Sequence, residues 1–500
     1  MTDEINRPKL LSLAPDKKGE CGGECEIILP DYCPNILRIL QSTAHPILHT
    51  TSRSSDRINL EGSVEYKVLY LSEDGTVQSV CQQAPFSCTL EMQGVAEGDF
   101  KVAITPRNCI ARALNSKKVH ARCTLAITVK INQTQTVPLS DFQEEWERKT
   151  CRKQAARYLG AAQKPLRISD EFEAESIQSV CGILQSNLRF RETEQKLLTD
   201  KLIVKGDMIF DLLCTDETNT PFPLQKTLPI SQILDLPGTE PGVICKTDFD
   251  LISASVTLRD EAEDRAKTLC YDVEVQISAE AYTLESAEWT EDVYSVKKTV
   301  ECTRESLQTE IFTVIDEGGA VRESVEIGTC TGILWMDAKP ELRGTYYRPE
   351  DDKLICEGVW DCRILMTDGD GTPCCTVREI PFTLQTPSMG CKNPVRNDTT
   401  LLLSDYSWNL TDPSHVELRG NYHWKGLIFS RERNDAVIRV TEKEDRPKGS
   451  DAVVLYYGCK GESAWDIAKE QGCPYRELIQ SNRLEQDRLT EDKMLMIVSF

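Results

Sequence analysis

Cys21, Cys25 and Cys33 come nearest to metal-ligand spacing in this chain, since thiolates repeated at short intervals can share a zinc ion. No second paired motif follows them, and only 5 histidines serve all 500 residues. Reduced, packed thiols are therefore the expected state, and no metal site is assigned. His45 and His49 would share one face of a helix, but Pro46 between them favours a loop. TDGDG, Thr367 to Gly371, has the flavour of a calcium loop without its later glutamate, so a hairpin turn explains it. Cys374 and Cys375 are adjacent, which in a strand sends their thiols to opposite faces and argues against dithiol chemistry. A nucleophile elbow, a phosphate-binding glycine loop, a His-Glu metal helix and paired carboxylates in a recurrent setting are all missing from the sequence. The expectation is a protein without catalytic residues or cofactor.

Composition bounds what else it can be. A chain of 500 residues is too long for one core and implies roughly three or four domains. Net charge is −22, from 80 acidic and 58 basic side chains, a field that repels nucleic-acid phosphates and anionic lipid. The opening residues MTDEINRPKL lack the pattern of a secretory signal, and no apolar run approaches the length of a membrane span. A cytoplasmic location follows as an expectation. The 21 cysteines are too dilute for a disulfide-built secreted module.

With no reactive group in evidence, repetition becomes the main signal. DRINLEG at Asp56 to Gly62 returns as DKLIVKG at Asp200 to Gly206 and DKLICEG at Asp352 to Gly358. Steps of two from each glycine meet Ile58, Leu60, Val64, Tyr66 and Val68; then Leu202, Val204, Met208, Phe210 and Leu212; then Leu354, Cys356, Trp360, Cys362 and Ile364. All fifteen are apolar against a background of 40%, which marks three half-buried strands. Glycine on the apolar face implies a bulge or a close crossing of another backbone. The aspartate six residues before it suits a turn. Pro85, Pro229 and Pro381 each fall 23 residues after their glycine and suggest the start of an edge strand; Leu114, Leu258 and Leu410 each fall 52 after it. SEDG at Ser72 to Gly75, TDETN at Thr215 to Asn219 and TDGDG supply the turns between.

The fold class expected is therefore mainly β: three repeated antiparallel β-sandwich-like domains, strung like beads, plus a small C-terminal module of order βααβ. The divisions are an N-terminal tail (1–30), a first repeat (31–140), a helical linker (141–167), a second repeat (168–300), a third repeat (301–440), a charged linker (441–451) and the module (452–500). The linker helix rests on DFQEEWERKTCRKQAARYLGAAQ, rich in helix formers with acids before bases. In the module, Val453 to Tyr457 forms a strand, Ser463 and Asp466 a capping box for a helix that Gly472 closes, Pro474 the first position of a second helix, and Met494 to Val498 a second strand.

This last segment resembles a LysM module. Gly461-Glu462-Ser463 stands for its first turn, Trp465-Asp466-Ile467-Ala468 for its first helix, and Asn482 with Leu484 for the end of its second. It departs at Glu491-Asp492, where the family carries a turn containing proline and glycine. The resemblance implies a groove edged by Gly461, Glu462, Ser463, Trp465, Asn482, Leu484, Glu491 and Asp492, which in LysM modules grips N-acetylglucosamine chains. Trp465 suits either the module's core or a partner contact. Three β repeats ahead of such a module resemble the SipL-type spore coat morphogenetic proteins, whose repeats are SPOCS domains. That resemblance covers most of the chain and implies a non-enzymatic mother-cell scaffold at the forespore surface and in the spore coat. It would dock through the LysM-like module to the coat-basement morphogenetic ATPase, touch other coat proteins and help encasement. The alternative is a peptidoglycan-binding protein of the cell wall; neither reading involves nucleic acid or direct insertion into a membrane.

Overall fold

Each glycine-centred stretch is the middle strand of a three-stranded antiparallel sheet. This computed structural model describes residues 9–54, 56–92, 98–137, 145–172, 180–260, 267–446 and 453–498. A short strand, β1 (Lys9–Leu13), precedes three units of six strands. Unit one comprises β2 (Lys17–Ile28), β3 (Ile36–Arg53), β4 (Arg57–Ser72), β5 (Val77–Glu91), β6 (Asp99–Asn115) and β7 (Lys118–Thr136). Unit two comprises β8 (Trp146–Phe172), β9 (Gly182–Leu198), β10 (Lys201–Thr215), β11 (Pro221–Asp235), β12 (Ile244–Asp260) and β13 (Lys267–Ser295). Unit three comprises β14 (Lys298–Glu326), β15 (Cys330–Arg348), β16 (Lys353–Asp368), β17 (Pro373–Pro387), β18 (Pro394–Asp412) and β19 (His415–Asp445). The C-terminal module is β20 (Val453–Gly458), α1 (Ala464–Gln471), α2 (Tyr475–Asn482) and β21 (Lys493–Val498).

Within each unit, strands two to four form a meander, and strand six pairs with strands one and five to make the second sheet. The core lies between these two sheets, and all fifteen alternating residues are at most 1% exposed. Facing β4, for example, are Val119, Ala121, Cys123 and Leu125 of β7. At each glycine the preceding strand shifts register, at Leu48/Thr50 of β3, opposite Lys205/Gly206 in β9, and at Leu342/Gly344 of β15. The bulge turns a carbonyl toward the glycine. A Cβ there would lie 2.1 Å from Ile47 O, 2.6 Å from Arg191 O or 2.4 Å from Glu341 O, so only glycine fits.

The prolines lie within the third strand of each meander rather than at its start, opposite Ser63, Asp207 and Val359. That strand is the free edge of its meander, so the missing N–H breaks no ladder. The residue after each proline, Phe86, Ile230 or Phe382, faces the glycine, and the two phenyl rings fill the space a side chain would take. The repeated aspartates serve turns: the carbonyls of Asp56, Asp200 and Asp352 accept the amides of Met92, Leu236 and Ser388 at 2.6, 2.9 and 2.9 Å. Of the three repeated leucines only Leu258 packs into a core; Leu114 and Leu410 are exposed.

Several expectations need correction. The segment expected as a linker helix is β8 from Trp146 onward, paired along its length with β13, and 141–144 lie outside the described residues. Its alanines serve close packing instead: Ala155 meets Leu10 and Trp289 on one side, while Ala156 meets Tyr282 and Phe429 on the other, both fully buried. Burial of both faces overrides helix propensity, which is a weak preference. The expected tail contains β1 and β2; residues 1–8 lie outside the described residues. The units accordingly begin at Lys17, Trp146 and Lys298, and Thr441–Asp445 of the expected charged linker completes β19, with 447–452 outside the described residues. His45 and His49 lie in β3, not in a loop.

The units are also not beads on a string. β5 touches β9, β11 touches β15 and β17 touches β3, so unit one meets two, two meets three and three meets one. Around the closed junction Leu69, Leu213 and Leu365, each seven residues after its glycine, form one cluster with Trp335. Lys67 donates to Ser186 O at 3.2 Å, Arg363 to Ser42 O at 3.4 Å, and Arg189 to Leu403 O, so hydrogen bonds cross every boundary. Buried charges seal a second layer. Lys130 pairs with Asp398, Lys101 with Asp248 at 2.6 Å and Lys425 with Glu192, each joining two units. Arg396, 3% exposed, donates to Asn132 Oδ1 and to the carbonyls of Ala14 and Ile131.

Candidate functional site

The sequence's candidates for metal chemistry disperse into structure. Cys21 and Cys25 are four apart on β2, so about 13 Å separates them, too far to share an ion. Both pack into the core of unit one, and burial, with a smaller contribution from Cys88, pushes the Cys21 thiol up to about 12. His49 contacts Ser63 Oγ at 3.0 Å. Cys374 faces the core of unit three while Cys375 faces Gln41 of unit one, on opposite sides of β17. The TDGDG segment is a hairpin turn in which Asp368 Oδ1 accepts the amides of Asp370 and Thr372 at 3.0 and 2.9 Å. Among the described residues no three His, Cys, Asp or Glu side chains converge on a metal position.

The C-terminal module is built as its sequence suggests. Ser463 caps α1, its Oγ accepting the amide of Asp466 at 3.3 Å, and Gly472 closes the helix in the left-handed conformation. Pro474 precedes α2 as its cap, one place earlier than its sequence implies. Asn482 ties the end of α2 to β21: it donates to Leu478 O at 2.9 Å and Met496 O at 2.8 Å and accepts Met496 N at 2.6 Å. Its role is to hold the module together.

The structure places the expected groove residues as follows. Gly461 turns the chain at positive φ, and its amide donates to Leu489 O at 2.8 Å; Leu489 N returns to Glu462 O at 2.9 Å; Ala464 N reaches Asp487 O at 2.6 Å. The two rims are therefore bonded to each other. Glu462 accepts Cys459 N at 2.9 Å and Asp492 accepts Lys460 N at 2.7 Å, so these acids brace loops, while Glu491 is exposed. Leu484 alone borders open space, a cavity of about 190 Å³ beside Tyr475, Ile479 and Asp487. Asp487 was not legible as a site residue. It accepts both Ser463 Oγ and Trp465 N at 2.9 Å, across more than twenty residues and without a local signal.

Trp465 packs against the chain itself. It is buried, edge-on to Tyr294 at 4.9 Å, and its Nε1 donates to Asp292 Oδ2 at 2.9 Å. The same carboxylate accepts from Lys469 at 2.7 Å and Arg304 at 2.7 Å, and Tyr294 donates to Cys473 O at 2.8 Å. Burial opposes ionisation of Asp292, but the bonds from Lys469 and Trp465 outweigh it and hold the carboxyl below the usual aspartate range. The module is thus seated on the far ends of β13 and β14, sharing a core with Tyr294, Val296 and Val300.

What remains open is the other side of its sheet. Val453 pairs with Val498, Leu455 with Met496 and Tyr457 with Met494. All six are exposed, Leu455 by 68%, whereas Leu495 and Ile497 face the helices. Strands apolar on both faces, in a module able to cover only one, were the signal for this surface. Six contiguous apolar side chains on a small module mark a contact site more than a solvated face.

Comparison with known families bears on the units, not on this module. The family model described as SipL, SPOCS domain matches residues 35–109 and 179–259. Units one and two thus each carry a segment of the SipL SPOCS type. The matched segments run from β3 into β6 and from β9 into β12, so the SPOCS match takes in the meander and one further strand, while the first and last strands complete each sandwich from outside it. Unit three lies outside the matched segments yet has the same strand order, the same bulged glycine and the same edge proline. No curated protein and no solved structure matches the chain. A SPOCS domain of the SipL type points to a role in spore coat assembly. No described helix is long and apolar enough to cross a membrane.

Proposed function

We propose that this SipL-type chain is a non-enzymatic scaffold of the spore coat, held at the forespore surface of the mother cell by its LysM-like module, which docks onto the coat-basement morphogenetic ATPase. The three SPOCS-type units form the rigid body that carries this module, and their outer surfaces are available to other coat proteins. The observation that carries the docking reading is the exposed sheet face of Val453, Leu455, Tyr457, Met494, Met496 and Val498. Burying such a face contributes about 25 cal/mol per Å², enough for a stable protein contact. A glycan chain finds less support, because the rims that would grip it are bonded together and Trp465 is already packed on Tyr294.

The test is capture of the purified ATPase by the full chain. L455D/M496D should weaken capture at least tenfold with unchanged far-ultraviolet circular dichroism, whereas E491Q, on the rim, should leave it intact. Deletion of Ala452–Phe500 should abolish recruitment to the forespore. Wild-type capture by L455D/M496D would overturn the assignment of this face, and sedimentation of the chain with purified peptidoglycan would favour the wall-binding alternative.

A further inference from the structure

The outer face of the module's sheet has a property that docking to a different protein does not require: it matches itself. Val453, Leu455 and Tyr457 of β20 lie beside Val498, Met496 and Met494 of β21, each between 36% and 68% exposed. Among the described residues no charged side chain shares this face. Lys493, at its edge, turns inward and donates from Nζ to Asn482 O at 2.9 Å, and Asp492 is held by Lys460 N at 2.7 Å. In a chain of net charge −22, a bare patch free of like charge is where two copies meet at least electrostatic cost.

Two copies related by a twofold axis between their sheets bring the same residues together from both sides. Leu455 and Met496 form the middle pair, so they stay at the centre of the contact whether the axis runs along the strands or across them. Val453 of one copy then lies over Val498 or over Tyr457 of the other, and every such encounter is apolar. Methionine, unbranched and adaptable, fills the irregular gaps between two flat faces. The module's helices pack on Tyr294, Val296 and Val300 and on the inner face at Leu495 and Ile497, so the outer face points away from the units and is open to a second module.

Area favours a second copy over bare exposure. With roughly 100 Å² of each side chain open, one face leaves about 600 Å² bare, the upper end of what a soluble monomer carries. Two faces together remove about 1,200 Å² from water, the lower bound of a stable interface. Such a contact forms and is still weak enough to be displaced. The chain's other bare apolar cluster, Tyr32 with Ile28, Leu37 and Leu114 on unit one, sits on loops beside Asp31 and Lys117 and offers no self-matching plane.

We propose that the chain without its partner is a dimer through this face, Leu455 and Met496 of each copy at the centre, and that the dimer masks the docking surface until the partner displaces it. The masking rests on docking of the morphogenetic ATPase at this face; the dimer itself does not. Pairing lowers the fraction of chain that is competent to dock, and the apparent affinity for the partner falls with it. Docking is thereby confined to places where the partner is concentrated enough to compete.

Sedimentation velocity of the purified full chain tests it. The dimer fraction should rise with protein concentration and be no smaller at about 500 mM salt than at about 50 mM, because screening relieves repulsion between two acidic chains without weakening an apolar contact. L455D/M496D should raise the dimer's dissociation constant at least tenfold with unchanged far-ultraviolet circular dichroism, whereas Y32S, at the apolar tip of unit one, should leave it unchanged. Purified ATPase should deplete the free dimer, and chain presented above the dimer's dissociation constant should be captured about threefold or more less tightly than chain presented below it. A wild-type chain that stays monomeric at every concentration and salt would overturn the dimer while leaving ATPase capture standing. L455D/M496D pairing like wild type, or loss of the dimer in Y32S, would place the contact elsewhere and overturn it equally. A dimer that binds the ATPase intact would overturn the masking. A chain that dimerises but never captures the ATPase would sink the docking assignment instead, and the contact between copies would stand.

Discussion

The two faces of one strand, repeated three times, have had different histories. Toward the sandwich core, β4, β10 and β16 carry the same pattern in every unit, apolar at each even step with a bulged glycine between. Toward the closed junction they differ. Five residues after the glycine stand Lys67, Asp211 and Arg363, and three after it Glu65, Ile209 and Asp361. Only the leucine at seven recurs, as Leu69, Leu213 and Leu365. A sandwich core is private to its unit, so copying it is free of conflict. At the junction the copies face each other, and one charge repeated three times would repel itself. Apolar side chains can meet their own kind; charged ones must diverge. Asp211, paired with Arg189 at 2.6 Å between two cationic counterparts in the other units, shows the outcome.

The sharpest way to test the shared face is to place a side chain on its glycine. G62V puts carbon where Ile47 O lies 2.1 Å and the Phe86 ring 2.6 Å from a Cβ, with backbone unable to yield. The expected loss is more than about 3 kcal/mol, or failure to fold, in chemical denaturation. N59V, exposed three residues earlier on the same strand, should stay within about 0.5 kcal/mol. Among alanine variants, G62A should lose more than G206A, whose Cβ meets only Arg191 O closely, at 2.6 Å. Equal losses would mean that the bulge carbonyl common to both sites, and not the Phe86 ring, sets the constraint.

For the diverged face, buried and exposed pairs should separate. R396A strips partners from Asn132 and from the carbonyls of Ala14 and Ile131, all at the boundary between units one and three. A loss of about 3–5 kcal/mol is expected, with units one and three separating in hydrogen exchange. K205A, breaking the exposed pair with Glu194, should change stability by less than about 1 kcal/mol. A small effect from R396A would mean that the junction is held by Leu69, Leu213, Leu365 and Trp335 alone.

This contrast also explains what could be read from the chain. The core face was legible because alternation is local: Ile58 to Val68 declares a strand within eleven residues, and a glycine on its buried side declares a bulge. Likewise Ser463, Asp466 and Gly472 announce α1 by position. The closed junction was not legible. Lys67 meets Ser186 and Arg38 meets Pro373 O across 119 and 335 residues, and nothing in either neighbourhood names the other. β8 misled for a related reason, since Ala155 and Ala156 are small to admit neighbouring strands on both sides, a demand made by distant sequence. Trp465 suited core and partner contact alike; the structure buries it against this chain's own Tyr294 and Asp292, and no motif marks Asp292.

The seat of the module gives the smallest and most specific prediction. Asp292 holds Trp465, Lys469 and Arg304 with one carboxylate, and its folded pKa lies below the ordinary aspartate value of about 3.9. A depressed carboxyl contributes stability that is fully present above the unfolded value and is lost as pH falls through the folded one. Seating should therefore be constant between about pH 5 and 8 and weaken below about pH 4. D292N keeps an oxygen to accept the indole N–H but gives up the charge facing Lys469 and Arg304, so seating should weaken by about 1–2 kcal/mol at neutral pH and lose its acid-dependent part. Amide exchange across α1, with the units as internal reference, reads both effects. Protection of α1 that is the same at pH 3.5 and pH 7 in the wild type would show that Tyr294, Val296 and Val300 hold the module by apolar contact alone.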